Sequence, residues 1–217
     1  MSEHDFRAMR AAMVANQLRT NSVNDPRISA AMDAVPREYF VPADRAALAY
    51  VDVAIPLGGG RSLNPPMATA RLLTEAGLRS ADKVLLIGAA TGYAAMLLAL
   101  MVARVIAVEE DAALTAAIPE ASRNDAQISF VNGSLTNGWQ GEAPYDVIII
   151  DGAISVLGAM LPVQLVEGGR LLTGIVDSGV TRLARGIRAG DTVGLVPFAD
   201  VETVILPGFE QPAGFSF

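Results

Sequence analysis

The sequence predicts a doubly wound α/β fold, in which a mostly parallel seven-stranded sheet carries an N-terminal helical extension and a C-terminal antiparallel hairpin. Three observations predict it. Between residues 83 and 175, short aliphatic runs alternate with helix-sized stretches. Because those runs are apolar on both faces, they belong in a parallel sheet covered on both sides. After Asp177 the alternation gives way to strand-turn-strand patterning, which marks the antiparallel end.

Taken in order, residues 6–48 read as helices. Met9, Met13 and Leu18, then Ile28, Met32 and Val35, recur near the helical period, and Asn24-Asp25-Pro26 is a helix start with proline just inside the cap. Pro36 and Pro42 punctuate this region. The stretch from Ile55 to Pro66 is too rich in glycine and proline for regular structure and reads as a loop. A helix over about 67–77 ends at Gly77. Strands follow at 83–87, 104–108, 128–131, 147–150 and 170–175, with helices at 92–102, near 111–117 and near 156–164. Beyond them, Gly190-Asp191 reads as a turn and Pro197 as a break.

The chain of 217 residues reads as one domain, with 1–78 as helical extension and loop and 79–217 as the sheet core. A domain of this size buries roughly 70% of its unfolded surface. Hydrophobic residues make up 52% of the chain, and the longest apolar runs are strand-sized, well short of the ~20 residues that cross a bilayer. The mixed charges of Ser2 to Arg7 are unlike a signal segment, so the expectation is a cytoplasmic protein with no membrane partner.

There is no cysteine, and His4 is the single histidine, in a terminus expected to fray. That composition argues against thiolate or histidine metal sites and against a serine–histidine–aspartate triad. The net charge is −7, and the 16 Lys and Arg are scattered, so a nucleic-acid partner is not expected.

The sharpest local signal lies after the first strand, in Ile87-Gly88-Ala89-Ala90-Thr91-Gly92-Tyr93. Ligands of such sheets bind at the carboxyl ends of the strands, where the topology switches. Small residues there allow a sharp turn and a close backbone approach, and the next helix offers its N-terminal N–H groups. The second strand ends in Val108-Glu109-Glu110, with Glu109 placed 21 residues beyond Gly88. A carboxylate at that distance suits a ribose diol, so the pair favours a nucleoside-type cofactor. Nicotinamide dinucleotide is the competing ligand. Its G-x-G-x-x-G pattern is absent because Ala90 stands at the second glycine, and S-adenosylmethionine fits better.

Longer segments carry a family resemblance. Met13 to Arg19, Asp25-Pro26-Arg27-Ile28, Val35-Pro36-Arg37-Glu38-Tyr39-Phe40-Val41-Pro42, Ala49-Tyr50, Ile55 to Gly60, Gly88 to Tyr93, Val131 to Trp139 and Glu167 to Leu171 together resemble the protein-L-isoaspartate O-methyltransferases. The likeness runs over roughly residues 10–175. It implies a Rossmann-like methyltransferase fold, S-adenosylmethionine as cofactor, and an isoaspartyl peptide or protein as substrate.

The same resemblance implies cofactor contacts from Gly88, Ala89, Ala90, Gly92, Glu109, Glu110, Ser134, Leu135 and Asp151, and a substrate loop in which Ser62 and Asn64 orient the carboxylate. Four positions depart from the family's pattern. Leu86 stands where an acid seats the methionyl amine, and Ala90 stands at the second turn glycine. Ser134 replaces the acid expected near the adenine amino group, and Asn64 replaces the substrate-loop serine.

Asp151 reads either as a strand-end cap or as a compensating acid. Trp139 and Tyr93 read as packing residues, and Phe198, Phe209, Phe215 and Phe217 as cover for a sheet edge or a partner surface. The expected function is methyl transfer to a carboxylate of a damaged protein or peptide. The alternatives are a weak or inactive relative with a binding role, and a methyltransferase with a changed substrate.

Overall fold

The computed structural model describes residues 2–210. It opens with α1 (Glu3–Met13), which contains His4 and is closed by a capping box between Ser2 and Asp5. A wider turn over Val14–Leu18 and a tight one over Arg19–Asn21 follow. Helix α2 (Pro26–Ala34) starts where the sequence placed it. There the Arg27 N–H donates to Asp25 Oδ1 at 2.9 Å, and Pro26 fills the first turn.

The stretch expected as an irregular loop is instead partly regular. Strands β1 (Ile55–Gly58) and β2 (Arg61–Leu63) form an antiparallel hairpin, with Ile55 opposite Leu63 and Pro56 opposite Ser62. Gly58, Gly59 and Gly60 supply the tip with φ of +104°, +57° and +77°, a conformation few other residues adopt. Proline is tolerated at Pro56 because both strands of a two-stranded ribbon are edges.

After α3 (Pro66–Glu75) come β3 (Lys83–Ile87), α4 (Tyr93–Ala99), β4 (Arg104–Glu109), α5 (Ala112–Ala116), α6 (Glu120–Arg123) and β5 (Ile128–Asn132). Next are β6 (Tyr145–Ile154), β7 (Leu165–Asp177), β8 (Val180–Ala189), β9 (Thr192–Val193) and β10 (Val196–Ala199). The sheet runs β10-β8-β7-β6-β3-β4-β5, and β9 pairs with β8. The five strands β3 to β7 are parallel, and β8 and β10 are antiparallel, as the change of pattern after Asp177 required.

Two expectations fail locally. Residues 156–164 form no helix, only a short turn over Pro162–Gln164, because Gly158 and Pro162 disfavour a helical run there. Pro197 does not end the pairing but lies within β10 at the sheet edge, where a register shift between Pro197 and Ala199 accommodates it.

Alternation along the strands splits the core into two layers. Val84, Leu86, Val105, Ala107, Val147, Ile149 and Leu172 face the side covered by α2, α3 and α4. Leu85, Ile87, Ile106, Val108, Ile148, Ile150 and Leu171 face the other side, where Leu135, Leu161, Leu206 and Phe209 cover them from loops. Phe198 is half-buried against the first layer and Phe209 is buried in the second, whereas Phe215 and Phe217 lie outside the described residues.

Ile149 is 1% exposed in β6, the central strand of the sheet. Ile149→Ala is expected to destabilise the fold by about 2–5 kcal/mol through lost burial and the cavity left behind. A urea unfolding series measures this, and a cost below 1 kcal/mol would mean that this layer is not the core.

Candidate active site

Strand β3 has β4 on one side and β6 on the other, so the topology switches at its carboxyl end. The chain leaves β3 through the small-residue turn singled out in the sequence. Gly88 and Ala89 both donate their N–H to the Val108 carbonyl at 3.0 Å, which folds the turn back onto β4. Gly88, Ala90 and Gly92 all have positive φ, at +78°, +49° and +96°. Ala90 thus keeps a glycine-like backbone shape despite its side chain, at a cost of about 1–2 kcal/mol. Its N–H donates to Glu109 Oε2 at 2.7 Å, a bond that helps hold the strained residue in place. At Gly92 a Cβ would come within 3.2 Å of the Phe130 ring, so the helix that follows packs closely at this point.

Glu109 ends β4 beside this turn and is 1% exposed. Its carboxylate receives five donors. Arg61 grips it with both ends of the guanidinium, Nη1 to Oε1 at 2.6 Å and Nη2 to Oε2 at 3.0 Å. The N–H groups of Ala90, Glu110 and Asp111 supply the other three, at 2.7, 3.0 and 3.1 Å. A carboxylate offers about four lone-pair positions, so Glu109 is saturated. The Arg61 side chain is 5% exposed, which makes this a buried and fully hydrogen-bonded ion pair.

The far end of the hairpin is tied to β6. Asn64 is 1% exposed and donates through Nδ2 to Asp151 Oδ1 at 2.8 Å, while its Oδ1 accepts the Val204 N–H at 2.9 Å. Its backbone carbonyl accepts from Arg37 Nη2. Burial raises the Asp151 carboxyl above its ordinary 3.8, against the lowering pull of Asn64, Arg37 and Arg61. Arg37 is fully buried with its guanidinium 4.6 Å from the centre of the Tyr93 ring, and that burial lowers its pKa. Arg37 Nε and Nη1 have no hydrogen-bond partner.

The remaining expected residues are only partly brought together. Ala89 and Leu135 are buried. Glu110 is exposed at the rim, with its Oε2 3.5 Å from the Leu135 N–H. Ser134 is exposed too, and its hydroxyl pairs with Thr136 at 3.0 Å rather than turning into the crevice. Ser62 is half-buried, while Arg61 and Leu63 on either side of it are buried, so it points to the other side of the hairpin. Leu86 packs in the apolar layer with Phe40 and Tyr93.

Two residues of the crevice were missed. Arg61 read as part of a loop, although once β2 is recognised as a strand its alternation turns Arg61 inward with Leu63. Leu206 carried no signal at all, because it arrives from 118 residues away along the chain from Gly88. Its N–H donates to the Ala153 carbonyl at 2.9 Å and the Ala153 N–H donates to Val204, so residues 204–206 run beside the end of β6. A Cβ at Gly88 would lie 2.9 Å from Leu206 Cδ1, and one at Gly152 would lie 2.5 Å from its Cγ.

Residues 9–204 match the family model described as protein-L-isoaspartate(D-aspartate) O-methyltransferase. The chain is 37% identical over 209 residues to protein-L-isoaspartate O-methyltransferase 1 of Rhodopseudomonas palustris strain HaA2, covering 94% of this chain and 85% of that one. It is 38% identical over 184 residues to the Methylorubrum populi protein-L-isoaspartate O-methyltransferase, covering 84% and 87%.

Two solved structures share the fold, each with a TM-score of 0.76. One is a protein-L-isoaspartate O-methyltransferase at 23% identity, matched over 92% of this chain and 66% of its own. The other is described as a putative Plasmodium falciparum protein-L-isoaspartate O-methyltransferase in complex with S-adenosyl-L-homocysteine, at 18% identity over 91% and 97%.

Two outcomes follow from the charges. Glu109→Ala is expected to cost about 3 kcal/mol of stability, at the low end for a broken buried pair because the glycine tip lets Arg61 reach water. A denaturation midpoint unchanged from the unaltered chain would show that the pair is not buried in solution.

Asp151 gives the second outcome. Folded, it holds its proton at pH values where the unfolded chain has released it. Its contribution is therefore complete below 3.8 and is lost as pH rises to the elevated folded value. Asp151→Asn keeps an acceptor for Asn64 and should flatten stability across that window. An unaltered pH profile of the melting temperature would rule this out.

Proposed function

This chain belongs to the protein-L-isoaspartate(D-aspartate) O-methyltransferase family, and on that premise we propose that it methylates a carboxylate of isoaspartyl-containing protein or peptide, with S-adenosylmethionine as donor. The observation that carries the reading is the turn that follows β3. A turn with positive φ at residues 88, 90 and 92 lies against an acidic residue at the end of the neighbouring strand. We read the chain as one functional unit, with residues 1–78 bringing the hairpin and 79–217 the cofactor cradle. We also propose a cytoplasmic location, in keeping with the lack of cysteine. Among the described residues no helix is long and apolar enough to cross a membrane.

When bound, S-adenosylmethionine supplies an electrophilic methyl group on a sulfonium, and the acceptor carboxylate belongs to the substrate. The protein's share of such a reaction is alignment and exclusion of water. Of the two candidates for orienting the acceptor we favour Asn64, because it reaches the crevice and Ser62 does not.

The cradle fits the cofactor in its backbone but not in its side chains. The acceptor for the ribose hydroxyls is saturated by Arg61, Leu206 lies against the glycine turn, and Leu86 offers no charge to an amine. The same saturation favours one second reading, a relative that keeps the fold as a binding protein.

Radiolabelled methyl incorporation into an isoaspartyl peptide and its aspartyl twin separates the two readings. The expected result is isoaspartyl-dependent incorporation. Its rate should fall on the order of a hundredfold below that of the Rhodopseudomonas relative, the penalty of about 1 Å of misalignment. No incorporation above the aspartyl control would leave the binding-protein reading standing.

A further inference from the structure

We infer that this chain carries its own occupant of the cofactor crevice, with Arg61 standing in for the ribose hydroxyls and Leu206 for the methionyl portion, so that Arg61 is the residue that sets cofactor affinity. The inference rests on the methyltransferase reading above and adds a regulatory element to it.

The guanidinium fork engages both oxygens of Glu109, the two acceptors that a ribose diol would use with its two hydroxyls. Three backbone N–H groups complete the carboxylate, so no acceptor remains while Arg61 is in place. Arg61 also passes close to the turn itself, since a Cβ at Gly88 would lie 3.6 Å from its Nη2. Leu206 closes the same point from the other side and is 2% exposed.

The occupant is held as a strap. Hairpin β1–β2 is tied to the end of β4 by Arg61 and, beyond its last residue, to the end of β6 by Asn64. Those two strands flank β3, so the strap crosses the switch point. Asn64 Oδ1 also accepts the Val204 N–H, which couples the hairpin to the segment that delivers Leu206.

Neutral hydroxyls cannot replace Glu109 as the partner of a buried guanidinium, because an unpaired buried charge is costly. Arg61 must therefore reach water before the cofactor can take its place. The exposed Gly58-Gly59-Gly60 tip gives the hairpin the backbone freedom for that movement. Cofactor affinity is then the intrinsic affinity reduced by the fraction of molecules with the strap open.

The test is calorimetric titration of the full chain with S-adenosylhomocysteine, for the unaltered protein, Arg61→Gln and Leu206→Ala. Both variants are expected to bind about tenfold or more tightly than the unaltered chain, and in hydrogen exchange S-adenosylhomocysteine should lower protection of residues 55–63 in the unaltered protein. Leu206→Ala leaves the ion pair intact, so it decides the question if circular dichroism shows Arg61→Gln unfolded. Equal affinity of the unaltered chain and the folded variants overturns the strap and leaves the methyltransferase reading in place. Folded variants that bind no S-adenosylhomocysteine overturn both.

Discussion

A carboxylate cut off from water has to be surrounded by donors, and the carboxyl edge of this sheet is arranged around that requirement at Glu109. The side chain gathers the N–H groups of Ala90, Glu110 and Asp111 and the guanidinium of Arg61. Each of these donors constrains a different piece of chain. Ala90 belongs to the turn after β3, Asp111 caps α5 through its own carboxylate, and Arg61 brings in the hairpin. Removing two charges from water costs several kcal/mol per ion in practice, and that cost is offset only when geometry and hydrogen bonding are good. The two-pronged contact at 2.6 and 3.0 Å meets that condition.

A second constraint, acting beside the first, is the close fit of Leu206 against Gly88 and Gly152. Both positions admit the leucine because neither has a side chain. The end of β6 can therefore accept residues 204–206 alongside it, and the second core layer is completed by Leu206 and Phe209. The glycine that permits close approach of a ligand also permits close approach of the protein's own chain.

Buried polar groups in this region form a chain: Arg37 stacks on Tyr93 and donates to the Asn64 carbonyl, and Asn64 bridges Asp151 and Val204. The N-terminal helical region and the C-terminal segment meet through it. Arg37 nevertheless leaves two nitrogens without partners, and Asp151 is pushed toward its neutral form by burial. A substitution at Asn64 therefore bears on a connected set of groups and not on an isolated contact.

The sequence by itself determined the five parallel strands, the change to antiparallel pairing after Asp177, the start of α2 and the turn from Gly88 to Gly92. Those features depend on local periodicity, on proline and glycine stereochemistry, and on the rule that strands apolar on both faces are covered twice. It also put Glu109 at a strand end, where β4 stops, because a strand end is a local property. It misread 55–66 as irregular, since three glycines obscure a hairpin whose pairing is held by contacts to β4 and β6. Only the tertiary structure decided what surrounds Glu109. Arg61 and Leu206 reach the crevice from opposite ends of the chain, and whether a carboxylate faces a ligand or a guanidinium depends on distances in space that no local pattern encodes.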